Sequence, residues 1–345
     1  MTTVMGDTSS TGDRFLTRRR QRQLRRWGVQ ESASSVHFAT TGDGWSIALS
    51  RYGAGRGPAV ILCHGLAANR HGWDLSPERS LARHLGEQGF DVFALELRGN
   101  GRSEKPGFGG KRWRWSFFDY VAQDGPAAID EVLRLTGRSQ VHWVGHSMGG
   151  ILLLAMLALG EERIASGVTV GSSVDYSNTG SAFENLIRLL PLTALVNPVP
   201  LGPVSAALAP GALAFDNPID RFNVNPANID RGLYRKLTGV GFHPIPAGVL
   251  RDLAGGFRTG GLRLPDGSAC VGRLPSGVPV LSMSGTADLQ CSPTAARRHG
   301  SDHVVFGKVH GQAEDYGHFD MLVGDRAARE VWPTLTDWLR EREAP

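Results

Sequence analysis

The chain has 345 residues, 41% of them hydrophobic and 20% charged, and its formal net charge is +4 at pH 7. This composition is typical of a soluble globular protein, and the length accommodates one domain of about 250 residues with an insertion. Three scattered cysteines (63, 270 and 291) argue against a disulfide framework and indicate reduced thiols in a cytoplasm, and no spacing of Cys, His, Asp or Glu predicts a metal site.

The positive charge is concentrated at the amino terminus. Residues 1–27 hold seven arginines and two aspartates, which is a charge of +5 and leaves −1 for the remainder. We expect residues 1–34 to form a basic, flexible arm, either a solvated tail or an arm in weak contact with an anionic surface, and we expect no nucleic-acid partner. No apolar stretch follows the arginines, and the apolar run at 151–159 is too short to span a membrane. We therefore expect a cytoplasmic protein with at most peripheral membrane contact.

Strands and helices alternate along most of the chain after residue 35. β-rich segments predict strands at 35–40, 45–52, 58–63, 90–96, 140–145, 164–171, 278–284 and 302–307. Helical patterns predict helices near 77–88, 117–135, 148–160, 293–299 and 325–342. Alternating βα units imply an α/β fold with a mostly parallel, eight-stranded sheet between helices. The first two strands should form a hairpin antiparallel to the rest.

A histidine–glycine pair, His64-Gly65, follows the third predicted strand. A loop of this kind supplies a backbone N–H that binds the oxyanion in enzymes with a serine nucleophile. Leu66, the next residue, is therefore a candidate donor. We interpret His64 as structural, because the catalytic base should come last in the chain.

The segment Gly145-His146-Ser147-Met148-Gly149 fits the G-x-S-x-G pattern of a nucleophile elbow. It lies between a β-rich segment at 140–144 and an apolar helical run at 150–159. A strand, a sharp turn and a helix would hold Ser147 in a strained backbone conformation with its hydroxyl exposed. The N–H of Met148, the residue after the nucleophile, is the second candidate oxyanion donor. His146 is the variable residue of the pattern, and no role is assigned to it.

The alternation breaks between about 175 and 275. This stretch is rich in Pro and Ala and has helical runs at 182–190, 228–237 and 247–255. It is too long to be a loop between two core strands. We predict a helical cap at 175–275, inserted over the carboxyl edge of the sheet, where α/β active sites lie. The α/β core then consists of residues 35–174 and 276–345.

A serine nucleophile needs a histidine base and an acid that orients the base. Asp288 follows the strand predicted at 278–284, and His318 lies between the last predicted strand and the last predicted helix. This gives the chain order Ser, Asp, His. The competing acids and bases are less well placed in the chain: Asp302, Asp315 and Asp320, and His299, His303 and His310.

With these motifs, the chain resembles the α/β-hydrolase superfamily over nearly its whole length after residue 35. The closer resemblance is to the branch that holds polyhydroxyalkanoate synthases and the acid lipases of the lysosomal and gastric type. It is carried by residues 64–66, 89–92, 97–103, 124–130, 145–149 and 317–320. The synthases carry a cysteine at the place of Ser147, and the acid lipases usually carry Gln at the place of Met148.

The motifs and the resemblance together predict an esterase or lipase-like hydrolase of carboxylic esters, acting on a small-molecule ester with an apolar acyl group. Ser147, His318 and Asp288 would form the catalytic triad, with the N–H groups of Leu66 and Met148 as the oxyanion hole. No cofactor or metal is expected. Substrate-binding residues and the oligomeric state are not predicted. An acyltransferase or thioesterase with the same triad is the alternative, followed by a non-catalytic binding protein of this fold.

Overall fold

The computed structural model describes residues 21–53, 55, 57–107, 110–184, 196–300 and 302–342. An eight-stranded sheet lies at its centre. The strands, in chain order, are β1 (Ser35–Thr40), β2 (Ser46–Tyr52), β3 (Ala59–Cys63), β4 (Asp91–Glu96), β5 (Val141–His146), β6 (Ile164–Val170), β7 (Val280–Gly285) and β8 (Asp302–Phe306). All eight predicted strands are confirmed, with ends that differ from the predictions by about two residues or fewer.

The strand order across the sheet is β1-β2-β4-β3-β5-β6-β7-β8. β2 runs antiparallel to both of its neighbours, and the other pairs are parallel. Every residue of β3, β4, β5 and β7 is buried, as expected for parallel strands with helices on both faces. β3 connects to β4 on one side, and β4 then connects back across β3 to β5 on the other side. Ligands of open α/β sheets bind at the carboxyl ends of the strands where the strand order reverses in this way, here those of β3 and β5. The predicted α/β-hydrolase fold is confirmed.

The helices lie between the strands and after the last strand along the chain. Besides a short helical turn at Phe117–Asp119 and a π-helix at Tyr120–Asp124, they are α1 (Leu81–Glu87), α2 (Gly125–Thr136), α3 (Met148–Ala158), α4 (Leu201–Leu208), α5 (Pro218–Asn223), α6 (Arg231–Val240), α7 (Ala247–Leu253), α8 (Pro293–Ala296), α9 (Asp320–Val323), α10 (Ala327–Glu330) and α11 (Trp332–Arg340). Every residue of α3 is buried, because this helix is apolar on all sides and fills the centre of the core.

The prediction of one carboxy-terminal helix at 325–342 is wrong. The chain leaves helical geometry at Gly324, where ψ is 159° and α9 has ended, and the predicted range then forms two short helices, α10 and α11. Pro333 lies in the first turn of α11, a position where its missing N–H leaves no helical bond unmade. The same residue cannot continue a helix from α10, which explains the break. The helix predicted at 293–299 is also shorter, and ends at Ala296.

Between β6 and β7, the described residues form α4 to α7 and several 3-10 turns. The runs predicted at 228–237 and 247–255 correspond to α6 and α7, while most of the run at 182–190 lies outside the described residues. This segment contacts loops at the carboxyl edge of the sheet. The N–H of His243 donates to Ala67 O at 2.7 Å, and that of Asn225 donates to Asp320 Oδ1 at 3.1 Å.

The expectation of a flexible arm over residues 1–34 needs correction for residues 21–34. Leu24 and Val29 are buried in the core that includes α6, and Gln23 donates to the carbonyl oxygen of Gly239. Glu31 forms ion pairs with Arg70 and Arg102. The prediction was based on the number of arginines and missed these apolar and acidic contacts, because composition does not show which residues lie on the same face of the folded segment. Residues 1–20 lie outside the described residues. None of the helices in the described part of the chain is long and apolar enough to cross a bilayer.

Candidate active site

Ser147 lies at the sharp turn between β5 and α3. Its φ is 52° and its ψ is −120°, a region that non-glycine residues rarely adopt. The turn is held by a hydrogen bond from Ser147 N to Val170 O at 2.8 Å and another from Gly150 N to Ser147 O at 3.0 Å. Ser147 is half-buried although its neighbours on both sides are buried. This is the strained strand–turn–helix geometry that the G-x-S-x-G pattern predicts.

Gly149 permits the close approach of α3 to the loop after β3. A Cβ atom at this position would lie 2.2 Å from the carbonyl oxygen of Cys63 and 2.8 Å from that of His64. Backbone atoms do not tolerate contacts this short, so steric overlap excludes any side chain at the second glycine of the pattern. The same distances show that the His64-Gly65-Leu66 loop begins directly beside the elbow.

His318 and Asp288 form a buried hydrogen-bonded pair. His318 Nδ1 donates to Asp288 Oδ2 at 2.8 Å, and the two side chains are 2% and 0% exposed. The other carboxylate oxygen of Asp288 accepts from the N–H groups of Gln290 and Cys291, at 2.8 and 2.9 Å. Because Nδ1 donates to a carboxylate, the lone pair of the neutral ring is on Nε2. That is the tautomer a general base needs.

Gly171 brings this pair next to the elbow. A Cβ atom on Gly171, where φ is +60°, would lie 2.9 Å from Asp288 Oδ2 and 3.0 Å from His318 Nδ1. The preceding residue, Val170, accepts the hydrogen bond from Ser147 N. The end of β6 therefore touches the nucleophile turn with one residue and the His–Asp pair with the next. Three segments distant in sequence meet at the carboxyl edge of the sheet.

The competing acids and bases have other partners. Asp302 Oδ2 accepts from the Trp338 indole and lies near Arg342, and Asp315 accepts from the Thr286 hydroxyl. His299 and His303 contact hydroxyls of the sheet, namely Thr169 and Ser284, and His310 is exposed. The structure therefore joins His318 to Asp288 and not to one of the alternatives.

The two candidate oxyanion donors flank the elbow. Met148 is the first residue of α3, and the first N–H groups of a helix have no intrahelical acceptor. Leu66 lies in a turn closed by a hydrogen bond from Ala68 N to Gly65 O at 3.1 Å. Both N–H groups belong to peptide units that the surrounding hydrogen bonds hold in place. A fixed donor is what stabilises charge that develops only in the transition state.

His64 orients the peptide that carries the Leu66 N–H. Its Nδ1 donates to Gly65 O at 2.8 Å, and its Nε2 accepts from Leu97 N at 3.2 Å. Burial lowers the pKa of His64, which keeps the ring neutral and able to make both bonds. Because C=O and N–H point in opposite directions across a trans peptide, holding Gly65 O also aims Leu66 N–H. These contacts agree with the interpretation of His64 as structural.

His146, to which sequence reasoning assigned no role, contacts the predicted base. Its Nε2 donates to the backbone carbonyl oxygen of His318 at 3.1 Å, and the two rings lie 4.5 Å apart. Its other face packs on Phe319 and edge-on to Trp73. The sequence offers one signal for this role, namely that His146 directly precedes Ser147. Successive residues of a strand point to opposite faces, so the side chain of His146 points away from that of its neighbour.

Asp320, rejected as the acid, holds the loop of His318 against the segment between β6 and β7. Its carboxylate accepts from the N–H groups of Gly317 and Asn225 and from the Asn228 amide, at 3.0 to 3.1 Å. Burial raises the pKa of Asp320 to about 7, although these hydrogen bonds act in the opposite direction. Asp320 thus positions the turn that carries His318.

Cysteine chemistry does not compete with Ser147. Cys63, Cys270 and Cys291 are free and buried. Burial raises the pKa of the Cys63 and Cys291 thiols well above the usual range, so neither supplies a thiolate nucleophile at neutral pH. Within the described ranges, no group of three or more His, Cys, Asp or Glu side chains is arranged to hold a metal ion.

Comparisons with known proteins identify similar sequences over part of this chain. A family profile described as "alpha/beta hydrolase fold" matches residues 58–193, which include the 64–66 loop and the elbow. Lipase lipl-3 of Caenorhabditis elegans is 32% identical over 149 residues, 39% of this chain and 36% of the lipase. Gastric triacylglycerol lipase of Homo sapiens is 34% identical over 136 residues, 36% of this chain and 33% of the lipase. The chain thus covers about a third of the length of these curated relatives.

Similarity to solved structures extends over most of the chain. A thermophilic esterase from Thermogutta terrifontis superimposes with a TM-score of 0.59 at 19% identity, covering 90% of this chain and all of the esterase. At this identity the similarity concerns the fold alone. The fold is shared over 90% of this chain, whereas the sequence similarity to these two lipases extends over 39% and 36% of it.

Proposed function

We propose that this chain, which belongs to the α/β-hydrolase superfamily by its fold, is a serine-dependent hydrolase of carboxylic esters. The observation that carries the proposal is the His318–Asp288 hydrogen bond at 2.8 Å, beside a serine held at φ 52°. A buried carboxylate, a histidine with its lone pair on Nε2 and a serine on a strained turn are the components of a catalytic triad. Partial similarity to lipases supports an ester as the substrate.

In the first half of the reaction, Ser147 attacks the ester carbonyl while His318 Nε2 accepts the hydroxyl proton. Asp288 stabilises the imidazolium that forms, and its second oxygen is already held by two backbone N–H groups. The N–H groups of Met148 and Leu66 bind the oxyanion of the tetrahedral intermediate. His318 then donates the proton to the leaving alcohol, which departs and leaves the acyl-enzyme.

In the second half, water attacks the acyl-enzyme. His318 accepts a proton from the water, and the same two N–H groups bind the second oxyanion. Collapse of this intermediate releases the carboxylic acid and returns the proton to Ser147. All groups in this scheme come from the chain itself, and the buried position of the His–Asp pair strengthens its electrostatic interaction.

We further propose that residues 175–275 form a cap that shapes the acyl site. The contacts of His243 with Ala67 and of Asn225 with Asp320 support this, because they attach the segment to the loops around Ser147 and His318. The aromatic rings of Phe222, Phe242 and Phe257 lie in the same segment. We expect these rings to line the acyl site, where they would favour an apolar acyl group and exclude water.

The test uses p-nitrophenyl esters of rising acyl length with the wild-type protein and Ser147→Ala. Ser147→Ala should lose about 10⁴- to 10⁶-fold in kcat and fold normally, because the hydroxyl is half-exposed and contributes little to the core. A fluorophosphonate probe should label wild type and not the variant. Turnover by folded Ser147→Ala within tenfold of wild type contradicts the proposal.

The same assay distinguishes the related activities. With a competing alcohol present, a hydrolase releases mainly free acid, whereas an acyltransferase releases mainly the new ester. A thioester that reacts much faster than the matching oxygen ester would assign the triad to a thioesterase. A folded wild-type protein that the fluorophosphonate does not label would indicate a non-catalytic binding protein.

A further inference from the structure

The geometry points to His243 as a positioning residue that fixes the oxyanion turn, residues 65–68, from the side of the proposed cap. The inference rests on the proposed function, since it concerns how Leu66 N–H is held in place. His243 lies in the segment between α6 and α7, about 100 residues after Ser147 in sequence, and it is half-buried. It contacts the oxyanion turn and the loop after β4 at the same time.

The oxyanion turn contains a strained residue. Ala67 adopts φ 56°, a left-handed conformation that costs a non-glycine residue about 1 kcal/mol or more. Such a conformation persists only where the surroundings impose it. The N–H of His243 imposes it directly, by donating to Ala67 O at 2.7 Å. Leu66 N–H therefore lies between two anchors, His64 on Gly65 O and His243 on Ala67 O.

The side chain of His243 holds its own backbone in that place. Nε2 accepts from Gly101 N at 3.0 Å, in the loop after β4, and lies 3.0 Å from Asn69 Nδ2. The Asn69 amide also donates to Val240 O at 2.8 Å, at the end of α6. Because Nε2 accepts from N–H donors, the neutral ring carries its proton on Nδ1. Without this acceptor, Gly101 N–H would not tie His243 to the loop after β4, and Asn69, which follows the turn, would not hold the ring.

A positioning role and a purely structural role of His243 predict different effects on kcat and on the free energy of unfolding. If His243 holds the turn, its loss misplaces a donor that acts on the transition state, so kcat should fall while KM changes little. If it only adds stability, the loss should lower the free energy of unfolding and leave the folded enzyme active. The shortest ester is the right substrate, because its acetyl group offers the least surface for contacts with the proposed cap.

The experiment compares His243→Leu, which removes the acceptor, with His243→Gln, whose amide oxygen can accept from Gly101 N–H. We measure kcat and KM on p-nitrophenyl acetate and the affinity for phenylboronic acid, which forms a tetrahedral adduct with a nucleophilic serine. His243→Leu should lower kcat by about 10- to 100-fold, less than or equal to the loss of one oxyanion donor, with KM within about threefold. Boronate affinity should fall by a similar factor, and His243→Gln should recover most of both.

The matched control is His142→Leu. His142 is a buried histidine of β5 whose Nδ1 lies 2.7 Å from the Ser166 hydroxyl, at the end of the strand away from Ser147. It should lose stability and keep kcat and boronate affinity within about twofold. If His243→Leu behaves like His142→Leu, or if His243→Gln recovers nothing, the inference is overturned.

Asn69→Ala is a second probe in case His243→Leu does not fold. It removes the amide that joins His243 Nε2 to Val240 O, together with the acceptor of the His71 N–H, and leaves the histidine itself unchanged. The inference expects kcat and boronate affinity to fall together, and unchanged values in the folded variant overturn it. Wild-type protein that neither hydrolyses the ester nor binds the boronate would instead refute the proposed function.

Discussion

The imidazole of His146 donates a hydrogen bond from Nε2 to the backbone carbonyl oxygen of His318 at 3.1 Å. The residue that precedes the proposed nucleophile thus holds the backbone of the proposed base. Burial, and then the neighbouring His318, lower the pKa of His146 well below the usual range. Since a second positive charge would disfavour the imidazolium of His318, a neutral His146 suits the reaction.

His146→Phe should keep the ring packing against Phe319 and remove the hydrogen bond to His318. A hydrogen bond of this kind contributes about 1 kcal/mol, so we expect kcat to fall about fivefold to tenfold. The measurement is kcat on a short ester, with circular dichroism to confirm folding. A variant with unchanged kcat would show that His146 has a packing role alone.

Asp288→Asn should leave the fold intact and lower kcat by about 10³- to 10⁴-fold. The amide can no longer accept the His318 Nδ1 proton as a carboxylate does, so the ring loses the tautomer with its lone pair on Nε2. Asp302→Asn is the control, because Asp302 is exposed and lies on β8 away from His318. Equal activity losses in the two variants would contradict the assignment of the acid.

Gly149→Ala should destabilise the protein by about 3 kcal/mol or more, because the new Cβ would meet the carbonyl group of Cys63, which is backbone and cannot move aside. Gly277→Ala is the matched control, since no atom lies within 4 Å of its Cβ position. The control should stay within about 0.5 kcal/mol of wild type. Urea unfolding of both variants tests this, and similar midpoints would argue against the close approach of α3 and the 64–66 loop.

Asp320 should give the stability a dependence on pH. Its pKa is raised to about 7 in the folded state, against about 3.9 for an unfolded aspartate. Between these values the folded state holds a proton that the unfolded state lacks, so the contribution of this group is largest in acid and decreases as the pH rises towards 7. Asp320→Asn lacks this dependence.

The measurement for Asp320 is urea unfolding at about pH 5 and about pH 8. The free energy of unfolding of wild type minus that of Asp320→Asn should decrease by at least about 1 kcal/mol from the lower to the higher pH. Comparison with the variant cancels the contributions of the buried histidines, which change stability in the opposite sense. A difference that stays constant or increases would mean that Asp320 is ionised throughout.

The strands and the elbow could be predicted because their signals are local. The apolar runs of β3, β4, β5 and β7 are buried on both faces, so composition alone marks them. The G-x-S-x-G pattern reports steric needs within five residues, and Gly145 meets such a need, because a Cβ atom there would lie 2.3 Å from the carbonyl group of Gly149. Asp288 and His318 could be chosen from several candidates because chain order and strand position limit where an acid and a base can lie.

The carboxy-terminal helix and the segment at 21–34 were predicted wrongly for two different reasons. A helical pattern at 325–342 does not show that Pro333 must begin a new helix and not continue the old one. The arginines of the amino-terminal segment dominate its composition, yet Leu24 and Val29 decide its position, because burial of apolar surface outweighs exposed charge.

The fold, the elbow and a short set of candidates for base and acid follow from the amino-acid sequence, because each depends on local pattern and on chain order. Three contacts become visible only in the folded chain: His318 pairs with Asp288, His146 supports His318, and His243 reaches Ala67. These contacts join residues between 30 and more than 170 positions apart. A hydrogen bond depends on distance and direction in space, and neither is encoded in the spacing of residues along the chain.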